Sequence, residues 1–315
     1  MPVPAILTIT FNPCLDVNVT VAAMRPEIKM RCENTLVQPG GGGINVARAV
    51  RRLGGQAVAL FPCGGANGLR LKKLLVGENV AYIAVDSDGD TRENLIVKDS
   101  ATGLQYRLNM PGPILDGKTC RALLQAVESQ PRLDFLVVSG SLAPGMKADI
   151  FDDLAAIAIR KKARLVVDTS GEGLRRALFC GAYFAKLSVH ELASLVGKKE
   201  LGSMDEIRCA AGRIVERGAP MVVISLGAAG AFWMTGEHHG LISAPSVKTL
   251  STVGAGDSMV AGMVWSLAIG RQFSEAVRYG VACGTAATMH PGTSLFKKDE
   301  ADALLEEMKD KVQSL

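Results

Sequence analysis

Short apolar segments alternate with longer amphipathic segments along almost the whole chain, and this alternation restricts the possible folds more than any other feature. We predict strands at 5–11, 57–62, 80–86, 133–138, 163–168, 183–187 and 220–226, and helices at 43–53, 67–77, 117–129, 147–161, 203–217, 256–269, 273–289 and 298–313. Strand–helix–strand units connect in a right-handed sense and form a mostly parallel sheet covered by helices on both faces. The sequence therefore predicts an α/β fold.

Two segments, 14–38 and 90–110, do not follow the helix period. Each contains a stretch in which apolar and polar residues alternate, at 16–20 and at 105–109, and such alternation is typical of strands with one buried face. We expect the two segments to form a small β-sheet inserted into the main fold as a lid. Because no repeat, low-complexity tract or Pro- and Ser-rich linker divides the sequence, residues 1–315 are expected to form a single domain.

The composition is that of an ordinary globular protein and argues against several functional classes. The 315 residues are 48% hydrophobic and 21% charged, which is enough apolar material for a substantial core. The net charge of +4 is small and the Lys and Arg residues are dispersed, so we expect no nucleic-acid partner. No uncharged run is long enough to span a membrane, and no charged segment precedes the apolar residues 5–7. We therefore expect neither a membrane partner nor a signal peptide.

The cysteines and histidines indicate a reducing compartment and no structural metal. The cysteines are odd in number and contain no Cys-x-x-Cys pair: Cys14, Cys32, Cys63, Cys120, Cys180, Cys209 and Cys283. Such thiols are typical of cytoplasmic proteins. The four histidines do not form a cluster with metal-ligand spacing. A cytoplasmic location is therefore expected.

The segment Ser251-Thr252-Val253-Gly254-Ala255-Gly256-Asp257 stands immediately before a long apolar run at 258–268. Its glycines let backbone N–H groups approach a ligand, and the following helix directs unpaired amides toward the same place, which suits a phosphate. A carboxylate there would repel a phosphate. It would, however, serve to remove a proton from a hydroxyl that attacks a phosphoryl group held by those amides. The simpler interpretation of Asp257 as a helix N-cap stays open.

A second glycine-rich segment, Pro39-Gly40-Gly41-Gly42-Gly43-Ile44-Asn45, also leads directly into a predicted helix. It lacks the Gly-Lys-Ser/Thr of a P-loop and the spacing of a dinucleotide fingerprint, which argues against a nicotinamide dehydrogenase. The glycines suggest close approach of a ligand to bare backbone, with Asn45 able to bind hydroxyls. Tight packing of a helix start against a strand is an equally good explanation of the glycines.

Together the two segments resemble the Gly-Gly-x-Gly-x-Asn-x-Ala and Thr-x-Gly-Ala-Gly-Asp motifs of the PfkB family of ribokinase-like carbohydrate kinases. Three further landmarks of that family occur in the expected order: Asn12-Pro13-x-Leu15-Asp16, Ser139-Gly140-Ser141-Leu142-x-Pro144-Gly145 and Ser225-Leu226-Gly227-x-x-Gly230. The five landmarks extend over essentially the whole chain. The resemblance implies a ribokinase-like fold, and a small-molecule kinase that uses ATP and Mg²⁺.

Within that family the chain is similar to the minor, PfkB-type bacterial 6-phosphofructokinases. Gly42 stands where 1-phosphofructokinases and tagatose-6-phosphate kinases usually carry lysine, and the segments at 25–32, 91–94 and 105–112 also fit the 6-phosphofructokinase branch. The resemblance implies phosphorylation of fructose 6-phosphate at O1 to fructose 1,6-bisphosphate. A 1-phosphofructokinase, a tagatose-6-phosphate kinase or, in another class, a catalytically weak sugar-phosphate-binding regulator are the alternatives. Family lids often pair across a dimer, so a homodimer through the lid is expected.

The resemblance also assigns roles to residues on the sugar side. It implies that Asp257 is the base facing O1, and that the amides of Gly254, Ala255 and Gly256 form the anion hole for the transferred phosphoryl group. Sugar hydroxyls would be held by Asp16, Gly41, Gly42, Asn45 and Ser141. The 6-phosphate would be bound by the lid cations Lys29, Arg92 and Arg107, since the guanidinium fork suits phosphate oxygens.

The nucleotide and the metals would lie in the C-terminal half. The resemblance places the nucleotide near Lys186, Ser188, Ser225, Gly227, Gly230, Thr249 and Thr285. It implies that Glu191 orients water around Mg²⁺, with Ser188 standing where the family has asparagine. A K⁺ site would use the carbonyls of Ser251, Val253, Ala287 and Gly292, although His290 and Ser294 replace the asparagine and arginine of the most similar members.

Overall fold

The computed structural model describes residues 3–218 and 221–310. The large sheet has nine strands in the spatial order β13-β12-β11-β10-β9-β8-β1-β4-β5. Its parallel strands are β1 (Ile6–Ile9), β4 (Ala57–Cys63), β5 (Ala81–Asp86), β8 (Phe135–Ser139), β9 (Arg164–Asp168), β10 (Phe184–Ser188) and β11 (Met221–Ser225). An antiparallel pair, β12 (Ala231–Thr235) and β13 (His239–Ile242), extends the sheet beyond β11.

Helices cover both faces of this sheet because the strands bury alternate side chains on opposite sides. In β8, Phe135 and Val137 belong to one apolar cluster, whereas Leu136 and Val138 belong to another. The first face is covered by α1 (Gly42–Arg52), α2 (Gly65–Gly77), α8 (Ala255–Ala268), α9 (Phe273–Thr288) and α10 (Lys298–Asp310). The second is covered by α3 (Gly117–Glu128), α4 (Ile150–Lys161), α5 (Gly171–Phe179), α6 (Val189–Leu195) and α7 (Met204–Glu216). This is the predicted α/β architecture.

Helix α8 is buried almost all round, and two glycines set its distance from α9. A Cβ atom at Gly262 would lie 2.7 Å from Sγ of Cys283, and one at Gly280 would lie 2.5 Å from Cγ of Met263. Both distances are far below van der Waals contact, so larger residues at these positions would push the two helices apart. Close packing of α8 therefore holds its N-terminal turn in place at the edge of the large sheet.

The two segments that break the helix period form a separate four-stranded sheet, hereafter the small sheet. Its order is β3 (Glu33–Gly40), β2 (Cys14–Val21), β6 (Arg92–Asp99) and β7 (Gln105–Asn109). Strands β2 and β6 are parallel, and the two outer pairs are antiparallel. The prediction of a second β-sheet from segments 14–38 and 90–110 is confirmed.

Every predicted strand and helix occurs in the described residues, with ends shifted by a few positions. Residue 220 of one predicted strand and residues 311–313 of the last helix lie outside the described residues. The helix predicted from 147 begins only at Ile150, after a turn. Helices α5 and α6 and strands β12 and β13 were not predicted. The two helices have only nine and seven residues, which is too short for a periodicity signal.

Candidate active site

The candidate site lies at the carboxyl edge of the parallel strands, where the strand order reverses between β1 and β8. Ligands bind at such switch points in open α/β sheets because the loops on the two sides diverge and leave a crevice. Five side chains from different elements meet there: Asn45 of α1, Ser139 of β8, Asp168 of β9, Lys186 of β10 and Asp257 of α8.

Asp257 occupies the first turn of α8 and is held by two donors. The helix begins after Gly254, whose φ of 76° is in the left-handed region that favours glycine, and no side chain caps its first amides. The carboxylate oxygen Oδ2 accepts a hydrogen bond of 2.9 Å from Nδ2 of Asn45, and Oδ1 accepts one of 3.2 Å from Oγ of Ser139. The Asp257 carboxylate therefore bonds to other elements instead of capping its own helix.

The surroundings of Asp257 bring its protonation equilibrium near neutrality. Burial, and next the negative charge of Asp168, raise the pKa of Asp257 to about 6. The Asn45 hydrogen bond, the Lys186 ammonium and the Ser139 hydrogen bond act in the opposite direction. A carboxylate with a pKa close to working pH is well matched to general-base catalysis.

Lys186 places a buried positive charge beside this carboxylate. Its Nζ lies 2.9 Å from Oδ1 of Asp168 and is almost fully buried. Burial alone would lower the pKa of the Lys186 ammonium, but Asp168, Asp257 and Glu191 outweigh it and raise the pKa. A Cβ on Gly256 would lie 2.9 Å from Nζ, so the ammonium lies directly against the first turn of α8.

The N-terminal glycine segment packs against the ends of β1 and β8. A Cβ at Gly42 would lie 2.6 Å from the carbonyl carbon of Ser139, and one at Gly43 would lie 2.6 Å from that of Ile9. Tight packing of the helix start therefore explains these two glycines. Gly41, with a φ of 111°, is the N-cap of α1. Sugar contacts by Gly41 and Gly42 stay predictions.

Asp16 and Arg92 lie together on neighbouring strands of the small sheet. Asp16 is buried, and its Oδ1 accepts hydrogen bonds from Nδ2 of Asn94 at 3.1 Å and from the Cys14 thiol at 3.3 Å. Arg92 donates to Oδ1 of Asn94 and to the carbonyls of Asn12 and Met110. Its buried Nε has no hydrogen-bond partner among the described residues.

Strand β7 reaches from the small sheet to the segment that precedes α8. Arg107 donates a hydrogen bond to Oγ1 of Thr252, and Nε2 of Gln105 donates one of 3.4 Å to Oγ of Ser251. The negative charge of Asp16 also acts on the Arg107 guanidinium. The structure thus brings Asp16, Arg92 and Arg107 to the same side of the crevice.

Two predicted sugar-side residues are not linked to this cluster by a hydrogen bond or an ion pair among the described residues. Lys29 is exposed in the loop between β2 and β3, and Ser141 is exposed in the loop after β8. Neither makes a hydrogen bond or an ion pair within residues 3–218 and 221–310. Their predicted contacts therefore stay predictions. The Asn45 amide makes hydrogen bonds to protein groups at both of its ends. It keeps a second N–H and a second lone pair, so its contact with a sugar hydroxyl also stays a prediction.

A cavity of about 440 Å³ opens beside the N-terminus of α8. It is lined by five of the residues predicted to bind the nucleotide, namely Ser225, Gly227, Gly230, Thr249 and Thr285. Ala255 and Gly256 of the predicted anion hole form its inner end, and Met259 and Val281 contribute apolar surface. The cavity is large enough for a drug-sized ligand and combines apolar walls with a few polar groups, as nucleotide pockets do.

Ser188 and Glu191 form a local structure that the sequence did not predict. Oγ of Ser188 accepts from the Glu191 backbone N–H, and Oε2 of Glu191 accepts from the Ser188 backbone N–H at 2.7 Å, which is a capping box at the start of α6. Among the described residues no three His, Cys, Asp or Glu side chains lie close enough to hold a metal ion. An ion here would therefore need water and phosphate ligands.

The residues predicted to bind K⁺ lie in two segments, 251–253 and 287–292. The structure brings the starts of these segments into contact. The backbone N–H groups of Leu250 and Ser251 both donate to the Thr288 carbonyl at the end of α9. The Ala287 carbonyl accepts from the His290 N–H at 3.2 Å, and Gly292 has a φ of 57°. Ser251 and Ala287 thus lie on neighbouring segments, and ligation of K⁺ by the four carbonyls stays a prediction.

Sequence reasoning did not single out two members of the site. Ser139 and Asp168 are the last residues of β8 and β9, and both are nearly buried polar residues at the end of apolar strands. Polar residues at the carboxyl ends of parallel strands are a signal of a ligand site, and this signal could have identified them.

Comparisons with known proteins agree with this geometry. Residues 10–300 match the model of the pfkB family of carbohydrate kinases. The chain is 44% identical to ATP-dependent 6-phosphofructokinase isozyme 2 of Escherichia coli over 95% of this chain and 97% of that protein. Two crystal structures of phosphofructokinase-2 from E. coli, one with substrates and products and one with potassium, superpose with a TM-score of 0.92 at 42% identity, covering 97% of this chain and 99% of theirs.

Among the described residues no helix is both long and apolar enough to cross a bilayer. The match to the family model spans most of the chain. More than two fifths of the aligned residues are identical to those of a relative that the alignment covers almost completely. The chain therefore belongs to the pfkB family of carbohydrate kinases.

Proposed function

We propose that this protein is a cytoplasmic kinase that transfers the γ-phosphoryl group of ATP to O1 of fructose 6-phosphate. The observation that carries the proposal is the position of Asp257. Asp257 directly follows Ala255 and Gly256, which line the cavity beside α8, and its charge acts on the Cys14 thiol, which is hydrogen-bonded to Asp16 on the sugar side. A base between a nucleotide pocket and an acceptor pocket has the location that phosphoryl transfer requires. The free state of all seven cysteines supports a reducing compartment.

In this proposal Asp257 accepts the proton of O1 as that oxygen attacks the γ-phosphorus. The first amides of α8, at Gly254, Ala255 and Gly256, donate to the phosphoryl oxygens on which negative charge develops. The Lys186 ammonium lies against the same turn and stabilises the same charge. The base and the amides are thus held by α8 and the cation by β10, and these two elements are already in contact.

The acceptor would be recognised by the small sheet and the glycine turn. The Asp16 carboxylate is buried close to Gly40 and can accept from sugar hydroxyls. The guanidinium groups of Arg92 and Arg107 would bind the 6-phosphate, because paired N–H donors match phosphate oxygens. Lys29 is long and exposed, and would join them when the sugar phosphate is bound.

ATP would occupy the cavity beside α8, and Mg²⁺ would accompany its phosphates. Glu191 uses Oε2 for the capping box, and its charge acts on Lys186, which supports a role for this carboxylate near the phosphates. Bound Mg²⁺ would supply charge neutralisation and typically keeps several waters with one or two carboxylates. K⁺ would bind the carbonyls of Ser251, Val253, Ala287 and Gly292, since carbonyl ligation depends little on side chains.

The closest alternatives use the same chemistry on fructose 1-phosphate or tagatose 6-phosphate. Turnover with ATP measured on all three sugar phosphates side by side tests the assignment. We expect the highest kcat/KM on fructose 6-phosphate. A higher value on either alternative would reassign the substrate, and absence of turnover on all three with sugar-phosphate binding intact would indicate a regulator.

The small sheet also supports a homodimer. Strand register places Val17, Leu95, Tyr106 and Leu108 on one face, opposite to the face that carries Asp16 and Arg107. Tyr106 and Leu108 are 39% and 44% exposed. An apolar sheet face needs a second layer, and the same face of a second copy supplies a matching one.

Sedimentation of Tyr106→Glu/Leu108→Glu tests the dimer. We expect dimers of the unmodified chain and monomers of the double variant. Ile159→Glu changes an exposed apolar residue of α4 that lies away from the small sheet, and should leave the dimer intact. A double variant that sediments as the unmodified chain does would contradict this interface.

A further inference from the structure

Among the described residues, Arg48 has the largest fully buried side chain that carries a charge. It lies one helical turn after Asn45 in α1. It is 1% exposed. Its Nη1 donates to Oδ1 of Asn45 at 3.0 Å and to the carbonyls of Pro39 and Thr293 at 3.1 Å. Its Nε and Nη2 form a forked ion pair with Glu78 at 2.7 and 2.6 Å. Burying a guanidinium costs desolvation free energy, so a buried arginine with every nitrogen engaged indicates a specific role for its contacts.

The contact with Asn45 decides which way that amide faces. A guanidinium has only donors, so the Asn45 atom that meets Arg48 must be the carbonyl oxygen. The amide nitrogen is then forced to the opposite side, where Nδ2 donates to Asp257. If the amide were reversed, Oδ1 would face the carboxylate and an N–H group would face Arg48, and both contacts would be repulsive.

The other contacts of Arg48 hold the guanidinium still. Glu78 neutralises its charge from the C-cap of α2, where the Glu78 side chain is 31% exposed. The carbonyl of Pro39 belongs to the start of the glycine segment, and that of Thr293 belongs to the loop after α9. Arg48 is therefore anchored to three separate elements, and the direction of its bond to Asn45 is fixed by all of them.

We propose that Arg48 is a positioning residue for the phosphoryl-transfer step, which sets the orientation of the Asn45 amide and through it the placement of the Asp257 carboxylate. This role rests on the proposed function, because it requires Asp257 to act as the base. Arg48 itself touches neither substrate. Its loss should therefore change kcat and leave the KM for ATP nearly unmoved.

The test compares Arg48→Met and Arg48→Lys with a matched control, Arg52→Met. Arg52 lies one turn further along α1 and donates to the carbonyls of Ser294 and Phe296 in the same loop, but does not contact Asn45. Lysine keeps a cation beside Glu78 and lacks the planar fork that serves several acceptors at once. It therefore tests the proposal even if Arg48→Met does not fold.

We expect kcat to fall by about 10–100-fold in the Arg48 variants, as misplacement of a catalytic group by up to about 1 Å does. The pH profile of kcat provides the readout that a purely structural role would not move. The Asn45 hydrogen bond favours the charged form of Asp257, which also faces Asp168 of β9 and Lys186 of β10. Losing that bond shifts the acid limb upward by about one pH unit, whereas Arg52→Met leaves the limb in place.

A double-mutant cycle separates action through Asn45 from general destabilisation. In the Asn45→Ala background, Arg48→Lys should add little further loss in kcat, because the group it orients is already absent. Additive losses in kcat, or an acid limb that Arg48→Lys leaves in place, would overturn the positioning role. Asp257→Asn distinguishes this failure from that of the proposed function. If Asp257→Asn keeps full turnover, the base assignment itself is wrong.

Discussion

Ser139, the last residue of β8, donates a hydrogen bond of 3.2 Å to Asp257, which stands 118 positions later at the start of α8. The contact joins the centre of the large sheet to the helix whose first amides are proposed to bind the phosphoryl group. Because β8 is hydrogen-bonded to β1 on one side and β9 on the other, its end is rigid. The hydrogen bond from Ser139 therefore holds the Asp257 carboxylate in a fixed position. A fixed base and a fixed set of amides reduce the reorganisation that phosphoryl transfer needs.

Asp257→Asn should lower kcat by about 10²–10⁴-fold, because the amide keeps the size of the side chain but cannot accept the proton. The dissociation constants for ATP and the sugar phosphate should change far less, since the loss is confined to the transition state. Steady-state kinetics and equilibrium titrations on the same preparation check this. Near-native turnover would mean that Asp257 is only a structural residue.

The pH profile of kcat should show an acid limb near pH 6, the value to which burial and Asp168 raise the pKa of Asp257. The base acts only when deprotonated, so the rate should fall about tenfold per unit below that pH and stay level above it. Stopped assays from pH 4.5 to 8, with unfolding followed in parallel, measure the limb. A profile without a limb in this range would contradict the assignment.

Two substitutions should move this limb in opposite directions. Asp168→Asn removes a negative charge that raises the Asp257 pKa, so the limb should shift to lower pH. Ser139→Ala removes a hydrogen bond that lowers the pKa, so the limb should shift to higher pH. Asp168→Asn also leaves Lys186 buried without its partner and should reduce stability, which thermal unfolding reports. Shifts of the same sign would exclude the electrostatic explanation.

Arg92→Ala should weaken the apparent affinity for the sugar phosphate by about 10–100-fold, which is the contribution of a charge-assisted hydrogen bond to phosphate. Affinity for ATP should be nearly unchanged. Arg107→Ala should give the same sugar effect. It should also raise the KM for ATP slightly, because Arg107 holds Thr252, which lines the cavity beside α8.

A phosphate-free sugar acceptor is the control for both arginines. The two variants should lose little with it, and Arg208→Ala, an exposed arginine of α7, should lose nothing with either acceptor. Equal losses of affinity for phosphorylated and phosphate-free acceptors would show that Arg92 and Arg107 support the fold and do not bind the phosphate.

Ser188→Asn should lower the free Mg²⁺ needed for half-maximal rate, and Glu191→Gln should raise it. Asparagine is a good N-cap, so the first change keeps α6 intact while its amide reaches further toward the phosphates than a hydroxyl does. Residues around bound water commonly change metal affinity or activity by about 10–100-fold. Mg²⁺ titrations at saturating ATP and sugar measure the shifts.

Thermal unfolding of these two variants and of Ser188→Ala is the control, because Ser188 and Glu191 together form the capping box. If Ser188→Ala lowers stability but leaves the Mg²⁺ requirement unmoved, the serine acts only as a cap. If neither Ser188→Asn nor Glu191→Gln changes the requirement, the ion does not bind near this motif.

Residue periodicity predicts most of the fold. The buried strands β8 and β11 are short runs of branched apolar residues, and helices such as α7 and α9 show a clear apolar stripe. Periodicity did not reveal α5 and α6, which are too short, or the antiparallel pair β12–β13 at the sheet edge. An edge strand has only one neighbour, and its partly exposed residues carry no strong pattern.

The sequence by itself determined the chemistry of the two glycine motifs and of Asp257, because a turn and the helix that follows it are encoded by adjacent residues. Only the tertiary structure decided what surrounds that carboxylate. Asn45 lies 212 positions from Asp257 and is oriented by Arg48, whose own partner Thr293 lies 245 positions further on. The order of the strands in the sheet creates these contacts, and hydrogen bonds across such separations leave no local signal in the chain.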